Sequence, residues 1–124
     1  GNSGVSAQAS SNVADVLRAG VRGVDHVARW GGEEFLLLLP GAQAEEARLV
    51  AERVRVALQE VEVHSAAGVA TLSATFGVAV LQPDESMEHA LARADEALYR
   101  GKELGRNRVI VSASQGHNPP HAGP

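Results

Sequence analysis

The chain has no cysteine among its 124 residues, so disulfides and thiolate metal sites are excluded. That composition fits a reducing compartment, and a cytoplasmic location is expected. Aromatic residues make up only 3% of the chain, leaving a hydrophobic fraction of 44% that is mostly aliphatic and sufficient for the core of one small domain. An excess of positive charge is also missing. Eleven Lys and Arg stand against fifteen Asp and Glu, a formal net charge of -4. This argues against a general nucleic-acid binder, so any phosphate site has to be a local basic cluster. No apolar run approaches the roughly 20 residues of a membrane-spanning helix, and the N-terminus lacks the basic-then-apolar order of a signal peptide. Neither membrane contact nor nucleic-acid binding is expected of this segment.

The two ends, residues 1–11 and 113–124, are small, polar and non-periodic, and are expected to be flexible around one domain over 12–112. Within it, Val13, Val16 and Leu17 recur at helical spacing behind Ser10, Ser11 and Asn12 as possible caps, with Gly20 as a stop. Val24 to Trp30 alternates imperfectly, Gly31-Gly32 is a permitted two-residue turn, and Glu33 to Leu39 supplies the return strand of a β-hairpin. Ala47, Val50, Ala51, Val54 and Leu58 mark an amphipathic helix over 44–59. Val69 to Leu81 reads as one strand bent or bulged near Gly77, with a shorter strand possible at Val61–Val63. Met87, Leu91, Ala94 and Leu98 mark a further helix that Gly105 would cap, and Arg108 to Val111 a closing strand. The order α-β-β-α-β-α-β predicts an α+β sandwich, with helices on a largely antiparallel sheet.

The chemistry concentrates in two places. Glycines at the hairpin turn permit φ > 0 and let a bulky ligand approach the main chain, and an adjacent carboxylate can hold Mg²⁺ that bridges to substrate phosphates. Because strand side chains alternate faces, only one of Glu33 and Glu34 is expected to meet a metal. By spacing alone, two solvated glutamates beside an ordinary turn explain the stretch as well. By spacing alone Lys102 and Arg106, four residues apart, are explained first by a cationic helix C-terminus favoured by the macrodipole, and otherwise offer a point charge and a bidentate fork to phosphates. The five histidines show no pair at metal-ligand spacing with a carboxylate partner. Trp30 is expected to pack on the hairpin.

Arg29-Trp30-Gly31-Gly32-Glu33-Glu34-Phe35 resembles the signature hairpin of GGDEF-type diguanylate cyclases in its GGEEF spelling. Arg93-Ala94-Asp95-Glu96-Ala97-Leu98-Tyr99, followed by Lys102 and Gly105-Arg106-Asn107, resembles the family's C-terminal block. The resemblance implies a nucleotidyl-cyclase-like fold with a ferredoxin-like core, and condensation of two GTP into cyclic di-GMP with release of pyrophosphate. Glu33 would be the Mg²⁺ (or Mn²⁺) ligand and base, Glu34 the second catalytic carboxylate, Gly31 and Gly32 the nucleotide approach, and Lys102 and Arg106 the triphosphate pair. Arg22-Gly23-Val24-Asp25 resembles the family's RxxD product-inhibition motif, and Arg53 matches a helix position from which a second arginine joins that site. A homodimer and a sensor or regulatory domain upstream are further implications.

The family's strand bearing DxDxFKxxND, and the GHxxGD segment after it, have no match here, so the domain is expected to be incomplete at its N-terminus. With one matching metal carboxylate, the chain alone is expected to be inactive. The alternative reading is a non-catalytic regulatory module that binds cyclic di-GMP at Arg22, Asp25 and Arg53, or binds a protein partner.

Overall fold

The computed structural model describes residues 13–112; the expectations for the two ends and for caps at Ser10, Ser11 and Asn12 lie outside the described residues. Helix α1 runs through residues 13–20. It is followed by β1 (His26–Gly31), β2 (Glu34–Pro40), α2 (Ala44–Leu58), β3 (Glu62–Ser65), β4 (Gly68–Thr71), β5 (Thr75–Leu81), α3 (Met87–Glu103) and β6 (Val109–Val111).

Strand β2 is apolar from Phe35 to Leu39 because both of its faces are covered. Phe35, Leu37 and Leu39 meet Ala47, Ala51, Val54 and Leu58 of α2, while Leu36 and Leu38 meet Ala90, Ala94 and Leu98 of α3. Opposite Phe35 in the register stands Phe76, and the two fully buried rings stack with centroids 5.1 Å apart. Burying each is worth roughly 1.5–3 kcal/mol.

The strand order is β1-β2-β5-β6, and the expectation of a largely antiparallel sheet needs correction. Only β1 and β2 run antiparallel; β2 with β5 and β5 with β6 are parallel. The connections dictate this, because β2 reaches β5 through α2 and β5 reaches β6 through α3, and a helical crossover returns the chain in the same direction. The α+β class stands.

The expected long strand over 69–81 is two. Its first part, β4, pairs with β3 in a separate, largely exposed hairpin, and only the second part enters the main sheet. Gly77 makes no bend. A Cβ there would lie 2.1 Å from the Ala94 carbonyl oxygen and 2.6 Å from the Leu98 nitrogen, so glycine lets α3 lie directly on β5. Gly20 likewise remains helical, in contact with α2: its Cβ would meet Val54 Cγ2 at 2.2 Å.

Candidate active site at the hairpin and the end of helix α3

The turn between β1 and β2 is centred on Gly32-Glu33, one residue later than expected, because Gly31 pairs with Glu34. Neither Gly31 nor Gly32 has a positive φ, so left-handed backbone is not what these glycines provide. A Cβ on Gly31 would sit 2.9 Å from Glu34 Oε1, so that glycine makes room for the Glu34 side chain. At Gly32 a Cβ would meet nothing within 4 Å, so the turn is open to approach on the side where a side chain would stand.

Between Arg29, which faces Phe35, and Gly31, which faces Glu34, Trp30 is an extra residue: a β-bulge. Its side chain is 53% exposed, which corrects the expectation of a packed tryptophan. The bulge frees Trp30 from the pleat that would have pressed it to the sheet. Arg29 secures the turn: its Nε and Nη2 donate to the Gly32 carbonyl at 3.1 and 2.6 Å, with the guanidinium 5.6 Å from the Phe35 ring centroid.

Helix α3 ends in a Schellman motif. Arg106 N–H donates to the Gly101 carbonyl at 2.9 Å and Gly105 N–H to Lys102 at 3.3 Å, with Gly105 at φ 121°, as its position in the sequence predicts. Arg106 (φ 62°) and Asn107 (φ 50°) continue in left-handed backbone, a conformation costing about 1–3 kcal/mol each for such residues. Anchors hold them there. Asn107 N–H donates to Thr75 Oγ1 at 2.9 Å, and its Oδ1 accepts from Arg55 at 2.7 Å and Gln59 at 3.3 Å.

Buried Thr75 joins the two halves of the site, since its own N–H donates to the Glu33 carbonyl at 2.9 Å. Sequence reasoning missed Thr75, Arg55 and Gln59, and no spacing signal marks them. From the end of α3, Lys102 Nζ then reaches Glu34 Oε1 at 3.4 Å and Arg106 Nη1 reaches Glu34 Oε2 at 3.3 Å. Glu34 is 22% exposed. Glu33 is exposed and enters no ion pair among the described residues; its carboxylate lies 3.5 Å from the Ser73 N–H. The two acids do part, one toward the cations and one toward solvent, but strand alternation is not the cause, because Glu33 lies in the turn and only Glu34 belongs to β2.

Arg22 and Asp25 lie toward the opposite end of β2. Asp25 accepts from the Arg22 N–H at 2.8 Å and from Nη2 at 3.0 Å, and Nη2 also donates to the Pro40 carbonyl at 2.9 Å. The Asp25 side chain is 1% exposed. Its hydrogen bond, and more weakly the field of Glu46, raise the Arg22 pKa above its ordinary value. Beside this pair is a cleft of ≈ 600 Å³, lined among others by Leu17, Arg18, Val27 and Arg29. Arg53 is exposed on α2 and makes no ion pair among the described residues. It follows Glu46 by two turns on the same helix face, roughly 10 Å along the axis.

No group of three acidic or histidine side chains gathers to hold a cation among the described residues. Exposed and in no ion pair among the described residues, the Glu33 carboxylate suits a hard cation that takes one protein oxygen and completes its shell with water and substrate phosphates. A self-contained protein cage is not present among the described residues.

The family model described as "Diguanylate cyclase, GGDEF domain" matches residues 8–108. The chain belongs to the GGDEF family. This GGDEF domain is 37% identical over 100 residues to diguanylate cyclase DgcP of Pseudomonas aeruginosa, covering 81% of this chain and 15% of that protein. It is 40% identical over 100 residues to DgcM of Escherichia coli, covering 81% of this chain and 24% of that protein. The chain therefore spans a quarter or less of these relatives. Among solved structures it is similar to diguanylate cyclase SiaD of Pseudomonas aeruginosa in complex with its activator SiaC (TM-score 0.69, 32% identity, 85% of this chain and 40% of that one). It is also similar to the GGDEF domain of DgcB from Caulobacter crescentus in complex with c-di-GMP (TM-score 0.60, 29% identity, 86% of this chain and 64% of that one). No helix among the described residues is long and apolar enough to cross a membrane.

Proposed function

We propose that this GGDEF domain serves a cyclic di-GMP signalling protein whose parent activity condenses two GTP into cyclic di-GMP, each copy of a dimer presenting one GTP to the other. The observation that carries this reading is the convergence of the signature hairpin with Lys102 and Arg106, cations 68 and 72 residues away from Glu34 in sequence. In each of two steps the 3′-hydroxyl oxygen of one nucleotide bonds to the α-phosphorus of the other, the α–β phosphoanhydride bond breaks, and pyrophosphate leaves. The hydroxyl proton passes to the Glu33 carboxylate, the exposed acid of the hairpin. Lys102 and Arg106 bind and orient the triphosphate, and Gly32 leaves the turn open to the nucleotide. Glu33 would hold a divalent cation, Mg²⁺ or Mn²⁺, which when bound would supply charge neutralisation to a reaction governed by positioning and electrostatics.

A regulatory reading applies to the other end of the sheet. Arg22 and Asp25, pre-paired beside an open cleft, with Arg53 on the neighbouring helix, form the product-inhibition site for cyclic di-GMP. Because Glu33 is the one candidate metal carboxylate at the hairpin turn, turnover by this chain alone is not expected.

Calorimetric titration separates these claims. A non-hydrolysable GTP analogue with Mg²⁺ should bind, and lose at least about tenfold in affinity in Lys102→Ala/Arg106→Ala, the equivalent of about 1.4 kcal/mol. Cyclic di-GMP binding should be lost in Arg22→Ala and Asp25→Ala. Unchanged GTP-analogue affinity in the double variant would refute the triphosphate assignment.

A further inference from the structure

Two cations that bind a triphosphate have to be held near one another before it arrives, at a cost in mutual repulsion. Here that repulsion is offset by a carboxylate. Glu34 takes Lys102 on one oxygen and Arg106 on the other, at 3.4 and 3.3 Å, and its side chain is largely withdrawn from water. Features on both sides of the contact hold the arrangement. Gly31, lacking a Cβ, leaves the space that Glu34 Oε1 occupies. The Schellman turn sets the spacing of Lys102 and Arg106. Arg106 is kept in left-handed backbone by the anchored residue after it.

We propose that Glu34 is an internal anion placeholder: it occupies the two phosphate-binding cations in the empty domain and must release both when a triphosphate binds. This rests on the assignment of Lys102 and Arg106 to the triphosphate. The role differs from that of a metal ligand or a proton carrier, because Glu34 then acts through Lys102 and Arg106 and is a positioning residue. Each charge-assisted contact it makes is one the phosphate oxygens have to replace. After release, its carboxylate stands beside the incoming phosphates and repels them. The placeholder therefore weakens occupation by bare polyphosphate and leaves tight binding to a ligand whose negative charge is neutralised.

Inorganic tripolyphosphate in the presence of a chelator, titrated at low ionic strength, tests this without nucleotide, metal or turnover. Glu34→Gln keeps the shape and removes the competing charge, so it should bind tripolyphosphate about three- to tenfold more tightly than the unmodified chain, the scale expected for partly exposed ion pairs. Asp84→Asn, which removes an exposed charge just before the start of α3, a helix length from Lys102, should change the affinity less than about twofold. Equal or weaker binding by Glu34→Gln would overturn the placeholder while leaving the cation site intact. Equal tightening by both variants would overturn it in favour of a general charge effect. If the unmodified chain and Glu34→Gln bind no tripolyphosphate, or if Lys102→Ala/Arg106→Ala binds it unchanged, the triphosphate assignment fails and the placeholder with it.

Discussion

Glu85 and Arg93, far from the hairpin, bear the most quantitative prediction. Arg93 lies on α3 with its side chain 9% exposed, and Glu85, just before that helix, is 5% exposed. Arg93 Nε and Nη2 donate to the two Glu85 oxygens at 2.7 and 2.8 Å; Nη2 also donates to the Val80 carbonyl at 2.7 Å, and Nη1 to Ser112 Oγ at 3.1 Å. The Gln82 N–H and the His89 ring complete the carboxylate's surroundings. The Arg93 hydrogen bonds, outweighing burial, lower the Glu85 pKa from 4.5 to about 2. Since the folded-state value is the lower one, the stabilisation is present above the unfolded value and is lost as pH falls toward 2. At about 1.4 kcal/mol per pH unit the displacement corresponds to about 3 kcal/mol. Glu85→Gln should therefore be less stable than the unmodified chain by about 3 kcal/mol at neutral pH, in line with breaking a buried pair. The gap should narrow below pH 5 and close near pH 2, where the natural side chain is itself protonated. Urea unfolding followed by circular dichroism across that range measures it. A gap that stays constant with pH would refute the electrostatic account and leave only a lost fit.

Gly77→Ala should destabilise the domain by about 3 kcal/mol or more, because the added methyl meets backbone atoms of α3 that cannot yield without moving the helix. Its melting temperature should fall, and GTP-analogue affinity with it, since Lys102 lies in the last turn of α3. Asn107→Ala should cost about 1–2 kcal/mol in urea unfolding, because it removes the acceptor that Arg55 and Gln59 share and leaves at φ 50° a residue without the polar side chain that eases left-handed backbone.

Much of this could be read from the residues. Helix α2 repeats its apolar positions at helical spacing, and buried Ala47, Ala51, Val54 and Leu58 fall on the expected stripe. Gly105 sits at the left-handed cap its place after α3 predicts. The hairpin was legible as a hairpin, while its turn was misplaced by one residue because a bulge at Trp30 shifts the register and leaves no mark in a single sequence. Parallel pairing of β2 with β5 was hidden for a different reason: an apolar run shows that both faces are covered but not which strand lies alongside. The break at Leu72–Ala74 was invisible because β4 and β5 have the same β-branched, apolar composition.

The sequence by itself determined the local structure: where helices start and stop, which strand is buried on both faces, and which two blocks carry the family's chemistry. Those features depend on neighbours within a few residues, whose sterics and hydrogen bonds the chain order specifies directly. Tertiary structure alone decided that Glu34 meets Lys102 and Arg106, that Thr75 ties the turn to Asn107, and that Glu33 is left facing solvent. Each follows from how closely α3 approaches the sheet. That distance is set by the absence of side chains at Gly77 and Gly101, against Leu98 in one case and Thr75 in the other, partners that only the folded chain brings together.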